Sequence, residues 1–175
     1  MQSPEPLKQA KVVAAEQCIM KMRAKIYRFR DNQWKERGVG NAKLMRNNIS
    51  KKISFLLRQD KTMKPVANFI ISTEDPLCNL QASPGMPDKA FVLQAMDYSD
   101  SEEGSIEMLT IRLQNEDKAA EFSKAFSIAK HFNATAKKGI FSELIWATPV
   151  EDEEERAVDD IDSNRFATTA ADEDD

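Results

Sequence analysis

From Met20 to Leu113 the apolar residues recur at every second position, and beyond Asn115 they recur at every third and fourth. Period two belongs to strands with one buried face; period 3.6 belongs to a helix. The change constrains the fold strongly, because it orders many strands before one closing helix. In the first strand Met20, Met22, Ala24 and Ile26 alternate with Lys21, Arg23 and Lys25. Then the phase slips, and Tyr27 and Phe29 alternate with Arg28 and Arg30. A one-residue slip predicts a bulge in this strand, and bulges bend sheets.

Turn clusters divide the rest. A second strand starts at Trp34 and resumes as Ala42 and Leu44 around Lys43, past Gly38 and Gly40, which are read as a kink that lets a long strand coil. Ile53, Phe55 and Leu57 make a third strand, and residues 62–71 a fourth in which Pro65 predicts an edge or a bulge. Cys78, Leu80 and Ala82 give a short fifth, residues 90–96 a sixth, and Leu109, Ile111 and Leu113 a seventh. Ala119, Phe122, Phe126 and Ala129 then share one face of a helix over 116–132, with Asn115 as N-cap and Glu116 and Asp117 in its first turn. The expected fold is mainly β with one C-terminal helix: a small barrel whose open end the helix plugs with its phenylalanines. The boundaries are an N-terminal arm over 1–15, the domain over 16–133, an extension over 134–150 and an acidic tail over 151–175.

The formal net charge of −4 hides an asymmetry. Residues 151–175 hold twelve acids against two arginines, a net −10, so residues 1–150 carry +6. The tail is too charged to bury and is expected to be disordered. A basic body suits an acidic partner. Cys18 and Cys78 read as buried thiols, and His131 as a surface residue near a helix C-terminus. No apolar run approaches the roughly 18 residues of a bilayer span, and no secretory leader is evident. No catalytic or metal-binding motif is present, so no catalytic residue, metal or cofactor is assigned. The apolar segment 139–146 (GIFSELIW) is expected to pack on the domain or to serve as a short recognition signal.

What remains is a binding surface. Arg23, Lys25, Lys35, Arg37, Lys43, Arg46, Arg58 and Lys64 lie on or beside the first four strands. The alternation puts Arg23 and Lys25 on the outer face, and Lys35 and Arg37 on an outward face opposite Trp34. Trp34 itself is expected to anchor the barrel wall. Single-stranded nucleic acid needs exposed stacking aromatics, and these sit mostly at inward positions here.

Four stretches carry a resemblance: KMRAKIYRF (21–29), WKERGVGNAKLMR (34–46), FLLRQDKTMKPVAN (55–68) and LTIRLQNEDKAAEFSKAF (109–126). In this order and spacing, over about residues 16–130, the chain resembles the Ran-binding domain of nuclear transport proteins. The resemblance implies a pleckstrin-homology-like fold, a seven-stranded bent barrel capped by a helix. It implies binding of the GTP form of the small GTPase Ran through Ran's acidic C-terminal tail, and assistance to GTP hydrolysis and transport-receptor release. Ternary complexes with the GTPase-activating protein and transport receptors, a monomeric state, and residence in the cytoplasm, with shuttling or at the nuclear pore, follow from the same likeness. The matched motifs put Arg23, Lys25, Trp34, Lys35, Arg37, Lys43, Arg58, Lys64 and Asn68 in the Ran-binding set, Asn68 as a residue that fixes backbone geometry.

The departures are specific. Phe91-Val92-Leu93 stands where the family often has Trp-Val-Trp, Arg58-Gln59-Asp60 where it commonly has Arg-Arg-Asp, and the arm before the first strand offers only Glu5 and Glu16 as acids. The alternative is a lipid-binding pleckstrin-homology module, in which Lys25, Arg28 and Arg30 imitate a phosphoinositide clamp or meet another acidic peptide. Against it, the closing helix lacks that family's tryptophan.

Overall fold

A computed structural model describes residues 16–137. The arm 1–15, the segment 139–146 and the acidic tail lie outside the described residues. Seven strands form one antiparallel sheet: β1 (Glu16–Arg30), β2 (Gln33–Asn47), β3 (Ile53–Gln59), β4 (Pro65–Ile70), β5 (Gln81–Ala82), β6 (Ala90–Asp97) and β7 (Ser105–Leu113). Their order is β4-β3-β2-β1-β7-β6-β5. Helix α1 (Glu116–Lys137) follows, five residues longer than the periodicity alone predicts.

The sheet rolls until its flanks meet. The Tyr98 amide donates to the Asn68 carbonyl (2.9 Å), and the Asn68 amide donates to Asp97 Oδ1 (2.8 Å). Asn68 thus acts through its backbone at the seam between β4 and β6. Pro65 lies on an edge strand, and the pairing skips Val66 between Ala67 and Pro65, so edge and bulge coincide. A proline has no N–H to donate, and both settings tolerate that.

The predicted bulge needs correction in one respect. Between Ile26 and Tyr27 the partner steps from Gly38 to Glu36, so the inserted residue there is Arg37 of β2. The insertion within β1 is Ile19, between Cys18 and Met20. With the extra residue in β2, β1 keeps its own alternation through Tyr27. Tyr27 and Phe29 therefore join the face of Lys25, and Arg28 moves to the core side, in register with Leu109. The slip in the apolar pattern marks a change of face by the apolar residues.

Inside, Phe55 stacks on Phe69 at 5.0 Å and meets Phe122 of α1 edge-on at 6.1 Å. Phe122 also lies 5.6 Å from Phe126 and 6.1 Å from Phe91. Phe91 packs on the core and Leu93 lies within it, so the positions that depart from Trp-Val-Trp fill the barrel interior. Asn115 caps α1, its Oδ1 accepting from the Lys118 amide at 2.9 Å. Near the other end of α1 the side chain of Asn133, 3% exposed, takes the Ile53 amide at 2.8 Å and donates to the Ile53 and Ile71 carbonyls, each at 2.9 Å. Cys18 and Cys78 are buried with no disulfide between them, and His131 is exposed.

Candidate partner-binding face

Residues paired across strands share a face of the sheet. Outward from the core, β1 places Lys21 opposite Lys43, Arg23 opposite Asn41, and Lys25 opposite Arg112 of β7; Asn41 in turn pairs with Arg58 of β3. The alternation therefore reads the side correctly for Arg23 and Lys25, but not their exposure. Lys25 is 1% exposed, its Nζ 3.0 Å from Glu36 and over the Tyr27 ring at 5.9 Å. Arg23 is held by both Asp60 oxygens at 2.9 and 2.6 Å. A bidentate clamp of this kind fixes a guanidinium in one orientation.

Arg58 and Lys64 are exposed where β3 turns into β4. Arg58 Nη1 donates to the Met63 carbonyl at 3.0 Å, and Met63 and Lys61 both hold positive φ in this tight turn. Behind them, an added Cβ on Gly40 would overlap the Arg58 carbonyl oxygen, so only glycine lets β2 approach β3 there. Gln59 uses its side-chain oxygen to accept from the Val39 amide at 3.3 Å.

The WKER segment is split between faces. Trp34 pairs with Phe29, ring centroids 5.2 Å apart, on the outer side. It is half-buried, lining a cleft of about 390 Å³ with Phe29, Val92, Met108 and Thr110. Trp34 is thus an outer-wall residue and not a buried anchor. Lys35 registers with Arg28, on the side of the sheet the core occupies, and is exposed at the rim, bonded to Asp31 at 3.0 Å. That bond, first of all, holds the Asp31 carboxyl below its ordinary range. Arg37, the bulge residue, turns to Ser99 (3.2 Å) and Asp100 (3.1 Å). Lys35 and Arg37 therefore do not share one outward face, because the inserted residue breaks the alternation between them.

A charged cluster that the sequence reading missed closes the barrel end away from α1. Arg28 reaches Asp100 at 2.8 Å, and Arg30 reaches Glu107 at 2.5 Å. Ser105 adds a bond to Glu107 at 2.7 Å, and Ser99 one to Asp97 at 2.6 Å. The Arg28 hydrogen bond is foremost in holding the Asp100 carboxyl below the usual range, with burial opposing. Burial is the largest influence on Glu107 and pushes it up, but the bonds from Arg30 and Ser105 and the charges of Arg30 and Arg28 outweigh it. The net direction is down. The signal was available: Glu107 continues inward the alternation of Leu109 and Ile111. No helix among the described residues is long and apolar enough to cross a membrane, and no group of acids, cysteines and histidine among them is arranged to hold a metal.

Three comparisons bear on this barrel. The model of the RanBP1 domain family matches residues 11–132. The human E3 SUMO-protein ligase RanBP2 is 33% identical over 117 residues, 66% of this chain but 4% of that protein. Human RANBP2-like and GRIP domain-containing protein 8 is 34% identical over 117 residues, 6% of its length. The chain thus spans a small fraction of the curated relatives it matches. Among solved structures, the Ran-binding domain of the nuclear complex component Nup2 from Ashbya gossypii aligns over 66% of this chain and 96% of that one, with a TM-score of 0.54 and 17% identity. The chain belongs to the RanBP1 domain family.

Proposed function

We propose that this domain binds the GTP form of Ran and receives Ran's acidic C-terminal tail along the outer face of β1, β2 and β3. Membership of the RanBP1 domain family carries the reading. The cations of that face supply the chemistry: an acidic peptide gains from a row of fixed positive charges, chiefly in association rate and register. Arg58 and Lys64 meet the partner directly, with Lys35 at the rim and Lys43 on the face. Arg23, Lys25 and Arg37, held by Asp60, Glu36 and Asp100, shape the positive field and hold strand positions. Trp34 offers an apolar wall beside them, and Asn68 keeps the β4–β6 seam closed.

In this role the domain is a monomeric binding module without cofactor or catalytic group of its own. It assists GTP hydrolysis on Ran by the GTPase-activating protein and the release of Ran from transport receptors, working in the cytoplasm or at the nuclear pore. The test is the double reversal Arg58→Glu/Lys64→Glu. Both side chains are exposed and only one turn hydrogen bond, Arg58 to the Met63 carbonyl, is lost, so circular dichroism should stay that of the unaltered chain and Tm should fall by no more than a few degrees, about 1 kcal/mol. Affinity for GTP-loaded Ran should fall by about tenfold or more at low salt, and the gap should narrow in 0.5 M salt. Undiminished affinity at low salt would remove this face from the interface.

A further inference from the structure

The loop between β6 and β7 joins two parts of the fold through one hydroxyl. Ser99 Oγ donates to Asp97 Oδ2 at 2.6 Å and accepts from Arg37 Nη2 at 3.2 Å. Asp97, 3% exposed, uses its other oxygen to take the Asn68 amide at the β4–β6 seam. The same Arg37 nitrogen reaches Asp100 Oδ1 at 3.1 Å, and Asp100 Oδ2 takes Arg28 at 2.8 Å. Ser99 thus stands between the seam and a pair of guanidiniums. Both arginine side chains are largely shielded, 14% and 19% exposed. Among the described residues the Nε of each makes no hydrogen bond, so the pair has donor capacity beyond what Asp100 and Ser99 use.

Around Ser99 the loop is open: residues 98–104 form no helix or strand, and Asp100, Ser101, Glu102 and Glu103 are exposed. Three of the four residues that follow Ser99 are acids. We propose that Ser99 is a phosphorylation site for an acid-directed serine kinase, and that Arg37 and Arg28 receive the phosphate. In the transfer, Ser99 Oγ attacks the γ-phosphorus of ATP held with magnesium in the kinase. The Oγ–phosphorus bond forms, the bond from that phosphorus to the bridging oxygen breaks, ADP leaves with that oxygen, and the hydroxyl proton passes to the kinase's base.

The surroundings set where the phosphate turns. It carries about −1.5 to −2 charge at pH 7. The buried Asp97 carboxylate loses the donated hydroxyl and repels it. Asp100 is 48% exposed and is free to turn to water, whereas the shielded arginines are not. The terminal oxygens of the phosphate lie two bonds beyond Oγ, within reach of the Arg37 nitrogen that Oγ already meets. A phosphate gives the fork of a guanidinium a stronger anion than one carboxylate. Phosphorylation therefore replaces Asp100 on the arginine pair and sets a like charge beside the Asp97–Asn68 seam. It also withdraws Arg37 from an acidic partner; that consequence alone rests on the Ran reading.

The test uses the full chain with Ran absent. Incubation with casein kinase II, magnesium and ATP, followed by tandem mass spectrometry, should place phosphate on Ser99. Ser99→Ala should remove that phosphopeptide and leave the circular dichroism spectrum unchanged. An unmodified Ser99 under kinase that labels casein, or phosphate confined to Ser101 in this loop, overturns the site. Phosphorus NMR then tests the arginines, on the resonance that Ser99→Ala removes. A phosphoserine ordinarily takes its second proton near pH 6. In the phosphorylated Arg37→Gln chain that midpoint should lie higher than in the phosphorylated unaltered chain, by about 1, because a neighbouring cation is gone. Arg28→Gln should move it in the same direction. A midpoint that neither substitution moves overturns the assignment of the arginines. Failure to bind Ran leaves both readouts unaffected, so the two ideas fail separately.

Discussion

Replacing Asn133 by Asp should unfold this domain far more readily than its near-identical size suggests. The amide side chain makes three hydrogen bonds in a site that is 3% exposed. It ties α1 to the start of β3 and to Ile71, the residue just past β4. Aspartate keeps the acceptor for the Ile53 amide but turns the two donations into lone pairs facing two carbonyl oxygens. Ile53 O retains the bond from the Ile71 amide at 3.1 Å, whereas Ile71 O loses its bond from the Asn133 side chain. Two lost bonds cost about 2 kcal/mol. A buried, unpaired carboxylate beside carbonyl oxygens adds several more. The sum is about 4–5 kcal/mol at pH 7, against about 2–3 kcal/mol for Asn133→Ala, which removes the bonds without adding charge. Urea unfolding followed by tryptophan fluorescence measures both. The sign with pH separates them. Burial raises the folded-state pKa of the new carboxyl, so its penalty is full above that pKa and shrinks as pH falls toward the unfolded value near 4. The Ala variant shows no such dependence relative to the unaltered chain. An Asp variant within 1 kcal/mol of the unaltered chain at pH 7, or a gap that ignores pH, would refute the reasoning.

Other outcomes follow from the same structure. Asp100 and Glu107 titrate below their ordinary range in the folded state, so their contribution is present above about pH 4 and is lost as pH falls through the depressed values. A thermal-melting series should show Tm dropping below pH 4, and Glu107→Gln should flatten that slope; an unchanged slope counts against the cluster. Trp34 is half-buried on the outer wall, so Trp34→Ala should cost about 1.5–2 kcal/mol in urea, roughly half the loss for a fully buried ring. A loss of 4 kcal/mol would place the indole in the core.

The barrel was readable because apolar alternation and turn residues agree along most of the chain. Ala24, Ile26, Ala42, Leu44, Phe55 and Leu57 are all wholly buried where period two puts them. Pro65 announced its edge strand, and Asn115 its helix. What escaped were consequences of pairing. Whether a phase slip inserts a residue in β1 or in β2 depends on the partner strand, so Arg37 was assigned to the wrong face and Arg28 to the wrong side. Lys25 reads as a solvated cation by alternation alone; its burial follows from Glu36 and Tyr27, which only the register brings near. Asn133 looked like a polar residue late in a helix, because its three partners lie 62 and 80 residues away in sequence. The residues proposed to face Ran were picked out by motif likeness and, apart from Trp34 and Asn68, by positive charge, and their individual roles rest on the variants above.

The central claim is that this RanBP1-family domain distinguishes the nucleotide state of Ran. Isothermal titration of the full chain with Ran loaded with GTP or with GDP tests it most directly. The account predicts tight one-to-one binding of the GTP form and binding at least tenfold weaker for the GDP form, with both weakening as salt is raised. Equal affinity for the two forms, or no binding to either at low salt, would contradict it.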